Sequence, residues 1–224
     1  MPRIERINEG GYIYHVLNRA NARVQIFDTD ADYSAFEEVL EEGSAKFSMR
    51  ILAYCLMPNH WHLILHPRNT GDLSLFMGWV ANTHTHRWHS QKGTIGEGHL
   101  YQGRYKSFLC QDDAYFLTLV RYVERNAKKA NLVRKAEMWK WSSVWRREFG
   151  PENAKKLLSD WPVLVPKNYL LWLNEPQTAH EEELIELSEK RDVPFGSDAW
   201  VSTVIKKFKI EQTQRPRGRP KKGG

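Results

Sequence analysis

Residues 53–67, Ala53-Tyr54-Cys55-Leu56-Met57-Pro58-Asn59-His60-Trp61-His62-Leu63-Ile64-Leu65-His66-Pro67, decide how the rest of the chain is read. Leu63-Ile64-Leu65 is apolar and partly β-branched, which favours a strand. Side chains on a strand alternate between its two faces. His60 and His62 therefore point one way, with Ile64 and His66 further along that face. Trp61, Leu63 and Leu65 point the other way, into a core. Two imidazoles about 7 Å apart along a twisted strand can converge on one divalent ion. Pro58-Asn59 is a turn signal, so the pair stands at the start of the strand, where a cleft can open. On these residues alone, a His-x-His strand is more often two partly buried histidines than a metal site, and both readings stand at this point.

Outward from this stretch, Met49 to Leu56 reads as a strand that the short turn makes the antiparallel neighbour of the histidine strand. Upstream, Tyr12-Ile13-Tyr14-His15-Val16-Leu17 follows Gly10-Gly11 and is rich in strand formers. Asp28-Thr29-Asp30 offers helix caps. Tyr33, Phe36, Val39 and Leu40 then recur at helical spacing, predicting a helix to about Lys46. Downstream, residues 71–90 read as a second helix, and Gln91 to Gly98 as a glycine-rich loop. Ser107-Phe108-Leu109-Cys110 reads as a fourth strand. Asp112-Asp113 caps a third helix from about Ala114 to Lys128. Strand, helix, strand, strand, helix, strand is the split βαβ, ferredoxin-like order with one added helix. The expected class is α+β: an antiparallel sheet with helices on one face.

Beyond Asn131 the character changes to Trp-rich, proline-punctuated short helices. Glu181 to Lys190 reads as an acidic helix, and Gly196-Ser197-Asp198 caps another. The expected division is 1–132 as the main domain, 133–210 as a helical C-terminal extension, and 211–224 as a basic, disordered tail.

The 224 residues carry a net charge of +6, unevenly distributed. Between Lys206 and Lys222 lie eight basic residues and one acid, Glu211, so the rest of the chain is close to neutral. A basic tail suggests a polyanion partner, most often nucleic acid. The nine Trp are either core packing or rings that stack on bases. Two cysteines without a C-x-x-C exclude a zinc ribbon and a disulfide framework, and suit a reduced cytosolic protein. No secretory signal and no membrane span are expected.

Within the third helix, Tyr122 and Asn126 are four residues apart and share a face. Taken alone, they could be a surface-tipped core tyrosine and a polar residue near a helix end. Together with G-G-Y-I-Y-H-V-L-N-R, A-Y-C-L-M-P-N-H-W-H-L-I-L, H-L-Y-Q-G-R-Y-K-S-F-L, R-Y-V-E-R-N-A-K-K-A-N-L-V, W-S-S, P-F-G-S-D-A-W-V and R-P-R-G-R-P-K-K, they carry a resemblance. The sequence resembles the REP-associated tyrosine transposases. These are relatives of small insertion-sequence transposases in the single-tyrosine HUH endonuclease superfamily. The resemblance implies that His60 and His62, with the amide oxygen of Asn126, hold Mg2+ or Mn2+. It implies that Tyr122 is the nucleophile, forming a 5′-phosphotyrosine on single-stranded or hairpin DNA. Many family members read H-L-N-P-V-R-A-G-L-V here, whereas this chain has Ala127 and Asn131 in place of the proline and glycine. That alters the helix end rather than the ligand set.

Arg104 and Lys106, interleaved with Tyr101 and Tyr105, are candidate DNA contacts by backbone neutralisation and base stacking; an ordinary polar edge is the alternative. Arg217-Gly218-Arg219-Pro220 resembles an AT-hook core, which adds Arg215, Arg217 and Arg219 as DNA-binding candidates. His15 is a candidate to support the ligands from a neighbouring strand, and His66 is left out of the ligand set. A rival reading is a hairpin-binding protein with little or no catalysis. A metal-dependent hydrolase of another kind is weaker, because it has no use for Tyr122. The chain is expected to act in the bacterial cytoplasm, nucleoid-associated when bound to DNA, as a monomer or homodimer.

Overall fold

The computed structural model describes residues 6–214. Four strands, β1 (Ile13–Arg19), β2 (Arg50–Met57), β3 (His60–His66) and β4 (Lys106–Cys110), form one sheet in the order β2-β3-β1-β4. All three pairings are antiparallel. Helix α1 (Asp30–Phe47) connects β1 to β2, and α2 (Asp72–Lys92) connects β3 to β4. This is the ferredoxin-like arrangement expected from the sequence. Helix α3 (Ala114–Glu124) and a single turn, α4 (Asn126–Lys129), follow β4. Beyond them come α5 (Ser143–Phe149), α6 (Glu152–Lys155), α7 (Tyr169–Asn174), α8 (Ala179–Arg191) and α9 (Asp198–Phe208).

The two crossover helices share one face of the sheet. Phe36, Val39 and Leu40 of α1 and Leu73, Phe76, Met77 and Val80 of α2 are buried against Tyr14, Val16, Trp61, Leu63 and Leu65. Gly43 permits the close packing of α1 on α2, since a Cβ there would stand 3.0 Å from the rings of Phe76 and Trp79. The opposite face is not left bare. Phe116, Leu119, Val120 and Val123 of α3 pack on Ile13, Ile64, Phe108 and Cys110, together with Tyr169, Leu173, Ile185 and Phe195 from the extension. The extension thus completes this second core rather than building one of its own. A bulge between Ile51 and Ala53 reverses the alternation of β2, so Tyr54 and Leu56 join Ile51 on the first face.

Helix α1 begins where the sequence suggested. Thr29 caps it and Asp32 closes a capping box. The Asp32 carboxylate also accepts from the Asp28 N–H at 3.0 Å and meets Lys92 Nζ at 3.3 Å. Burial raises its proton affinity, but the Thr29 and Asp28 N–H groups, the Thr29 hydroxyl and Lys92 together hold it below the ordinary carboxylate value. A depressed acid stabilises the fold above the unfolded pKa and loses that contribution as pH falls through the folded one. Asp32→Ala is therefore expected to cost about 2 kcal/mol at pH 7. In denaturant titrations the deficit against wild type should shrink below about pH 4.

The third helix does not run unbroken to Lys128. It stops at Glu124, and Arg125 (φ −85°, ψ −4°) separates it from α4. The side-chain amide of Asn126 donates to the Tyr122 carbonyl at 3.2 Å, and such a bond competes with the helical ladder. Asn131 takes the left-handed conformation at φ 59°. Asparagine tolerates it, and Leu132 N–H closes onto the Ala127 carbonyl at 2.9 Å.

The extension also covers both sheet edges. Leu56 N–H donates to the Trp141 carbonyl, Ser159 N–H to the Ile51 carbonyl, and the indoles of Trp139 and Trp161 to the Leu56 and Leu52 carbonyls. On the β4 side, Phe195 pairs with Cys110. These bonds satisfy groups that an open edge strand would leave exposed. Among the described residues no helix is long and apolar enough to cross a membrane.

Candidate active site

His60 opens β3, opposite Arg19 of β1 and Met57 of β2, directly after the Pro58-Asn59 turn. That turn is held from outside: the Pro58 carbonyl accepts from Ile26 and Phe27, and the Asn59 carbonyl from Ala20. Trp61 is fully buried on the first face, its indole donating to the Tyr101 hydroxyl at 2.9 Å. Alternation then places His60 and His62 on the α3 face, their ring centroids 5.1 Å apart.

A third histidine joins them. His15 of β1 lies one step diagonally from His62, and His15 Nε2 stands 2.9 Å from His62 Nδ1. All three rings are poor bases here. Burial pushes His15 down to about 3. Burial, aided by the Arg19 guanidinium, takes His60 to about 4. His62 falls well below its ordinary value through burial, with His60, His15 and Arg19 adding. Neutral imidazoles keep a nitrogen lone pair for a cation at neutral pH. For His60 the tautomer follows from its neighbour. Nδ1 stands 2.6 Å from the Asn59 amide oxygen, which only accepts, so Nε2 carries the free lone pair.

Tyr122 projects from α3 onto the same face. Its ring stands edge-on to His62, with centroids 6.1 Å apart. Glu189 on α8 is the first of the carboxylates whose charge acts on its hydroxyl. Burial first, and then Glu189, Glu186 and Glu182, raise its pKa and keep it a phenol. Glu189 is itself raised to about 7 by burial, against the opposing effects of Tyr122, Lys106 and Arg19. Its Oε1 lies 3.7 Å from His62 Nδ1 and 3.9 Å from His15 Nε2, beyond hydrogen-bonding range, and takes no hydrogen bond. Asn126 is tied to the Tyr122 carbonyl through its amide nitrogen, so its oxygen is the atom left for another partner.

The model for the transposase family described as IS200-like matches residues 10–126, just over half of the chain. The chain belongs to the IS200-like transposase family. Membership makes it a DNA-processing protein. The matched span holds His60, His62, Arg104, Lys106, Tyr122 and Asn126 and ends before α8. A search of curated proteins gives no match. Among solved structures, the chain is similar to a REP-associated tyrosine transposase bound to a REP hairpin, at 19% identity and TM-score 0.54. That likeness covers 80% of this chain and all of the other, so the shared fold reaches beyond the family-matched span. A crystal structure of a protein from Deinococcus radiodurans R1 assigned as a transposase gives 16% identity over 56% of this chain and 94% of the other. Its TM-score of 0.39 is too low to carry the fold.

The DNA-contact candidates divide in this transposase. Arg104 and Lys106 are exposed, and Lys106 Nζ donates to the Glu189 carbonyl at 3.3 Å. Tyr101 and Tyr105, read beside them as stacking rings, are instead core residues, each 8% exposed. Tyr101 is held by Trp61 and His84, and Tyr105 lies under the Arg6 guanidinium. Among the described residues no tryptophan is fully exposed: Trp61 and Trp141 are buried and the other seven are half-buried. Arg215, Arg217 and Arg219 lie outside the described residues. Two groups at the site were missed from sequence. In the sequence Glu189 reads only as one acid in an acidic helix, and Arg19 only as the last residue of the G-G-Y-I-Y-H-V-L-N-R stretch.

Proposed function

We propose that this chain is a metal-dependent, single-tyrosine endonuclease and strand transferase acting on single-stranded DNA that carries hairpins, of the REP palindrome type. The observation that carries the reading is Tyr122 standing edge-on to His62 within a cluster of neutral imidazoles, inside the span matched by the transposase family. The solved transposase of the same fold, bound to a REP hairpin, supports the substrate class.

In this reading Tyr122 Oη bonds to phosphorus and the bond to the 3′ oxygen breaks. The 3′ oxygen takes up a proton, and a 5′-phosphotyrosine remains. The ester keeps the energy of the broken bond, so a 3′-hydroxyl can reverse the step without a nucleotide cofactor. His60, His62 and the Asn126 oxygen would hold the divalent ion, Mg2+ or Mn2+. The neutral rings and the unpartnered Glu189 oxygen suit a cation there. When bound, such an ion polarises a phosphoryl oxygen and offsets developing negative charge. Arg104 and Lys106, both exposed, would neutralise backbone phosphates. Residues 1–132 form the catalytic unit, 133–210 the extension and 211–224 a basic tail. The covered sheet edges support a monomer over an edge-to-edge dimer.

The test is a labelled single-stranded hairpin oligonucleotide run on a denaturing gel. A covalent protein–DNA adduct is expected with Mg2+ or Mn2+. EDTA should abolish it while hairpin binding persists. Cleavage that continues in EDTA, or proceeds without an adduct, would refute the mechanism. The second reading, a hairpin-binding protein with weak catalysis, draws support from the burial of Tyr122 among carboxylates. Tight hairpin binding with no adduct under any divalent ion would establish it.

A further inference from the structure

His15 Nε2, His62 Nδ1 and Glu189 Oε1 lie within 4.8 Å of one another. Their separations are 2.9, 3.7 and 3.9 Å. Atoms bound to one ion at about 2.1 Å stand about 3.0 Å apart at right angles and about 4.2 Å apart across it. The 3.7 and 3.9 Å separations fall in that range, and 2.9 Å lies at its lower edge. Hydrogen bonding explains only part of the arrangement. The two rings share one bond, while Glu189 Oε1 and His15 Nδ1 are buried without a hydrogen-bond partner. A buried carboxylate oxygen left unpaired costs stability, and a cation at the centre of the triangle would satisfy it. Two imidazoles and a carboxylate form a donor set suited to first-row divalent transition ions.

We propose that His15, His62 and Glu189 form a second seat for the divalent ion, through which the C-terminal extension supplies a ligand to the metal centre. This rests on reading the site as a metal centre, and it adds His15 and Glu189 to the residues that serve it. A neutral imidazole has one nitrogen lone pair, so His62 serves one set at a time. The His60–His62–Asn126 set and the His15–His62–Glu189 set are alternative seats for one ion. His62 turns Nδ1 toward the second seat. With the ion in the first seat, the Glu189 carboxylate would be left to act on the Tyr122 hydroxyl rather than on the metal. The position of the ion is thereby coupled to the docking of α8 on the sheet.

The test is titration of the full chain with CoCl2, followed by visible absorption and calorimetry. Glu189→Ala sits on a helix that alanine favours, and His15→Leu keeps apolar volume in a buried site; circular dichroism checks both folds. Each is expected to weaken Co2+ binding about tenfold or more and to change the absorption band. His60→Ala and Asn126→Ala should leave that band in place. Wild-type affinity and spectrum in Glu189→Ala and His15→Leu, with binding lost in His60→Ala, would overturn the second seat and leave the first reading standing. Binding that is unchanged even in His62→Ala would overturn both.

Discussion

Tyr122→Phe is expected to abolish covalent capture of cleaved single-stranded DNA, by about a thousandfold or more, while hairpin binding stays within about twofold of wild type. The change removes one oxygen. The ring remains packed in the α3 face with Val120 and Val123, and among the described residues the hydroxyl makes no hydrogen bond that holds the fold together. The stability cost should be no more than about 1 kcal/mol, so a lost adduct reports chemistry rather than unfolding. The assay is the denaturing gel with a labelled hairpin substrate, read beside a filter-binding curve. An adduct that persists in Tyr122→Phe would mean that another group attacks. The surroundings sharpen the expectation. Burial and three carboxylates hold Tyr122 as a phenol in the state described. A phenol is a weak nucleophile, so attack requires that a cation or the bound DNA offset that field.

Residues 53–67 made the centre of the fold legible because a buried antiparallel strand writes its alternation into the sequence. Trp61, Leu63 and Leu65 are fully buried on one face, and His60 and His62 stand on the other. The capping residues of α1 were equally local signals. What was illegible depended on contacts distant along the chain. Glu189 reaches His62 only because α8 docks on the α3 face, and nothing around Glu189 distinguishes it from Glu186 or Glu182. Tyr101 and Tyr105 alternate with basic residues as a stacking strip would, yet Trp61, His84 and Arg6 claim them for the interior. The bulge in β2 leaves no mark of its own, since residues on both of its faces are apolar. The break at Arg125 hid for a different reason: an asparagine that matches the site motif also bonds the carbonyl that would have continued the helix.

Arg146→Met should be the most destabilising single change outside the site, at about 3–5 kcal/mol and a melting temperature about 10 °C lower. Arg146 projects from α5 and is 5% exposed. Its guanidinium donates to the Tyr54 hydroxyl at 2.7 Å and the Ala154 carbonyl at 2.7 Å, and pairs with Glu37 at 2.6 Å and Glu41 at 3.0 Å. One side chain therefore joins the extension to β2 and α1. Methionine retains much of the volume, so the loss is chiefly electrostatic: Glu37 is left charged and poorly hydrated. Even with Arg146 present, burial raises Glu37 above the ordinary carboxylate value. Without the guanidinium it should rise further. A raised acid binds a proton more readily folded than unfolded, so folding is favoured at low pH and loses that advantage as pH climbs through the folded pKa. The deficit of Arg146→Met should accordingly be smaller at pH 5 than at pH 7. Adding Glu37→Gln removes the stranded charge and should recover a large part of the loss, because a buried pair replaced on both sides is far less costly than one broken on one side. A double variant no more stable than Arg146→Met would show instead that the Tyr54 and Ala154 bonds, not the ion pair, hold the extension against the sheet.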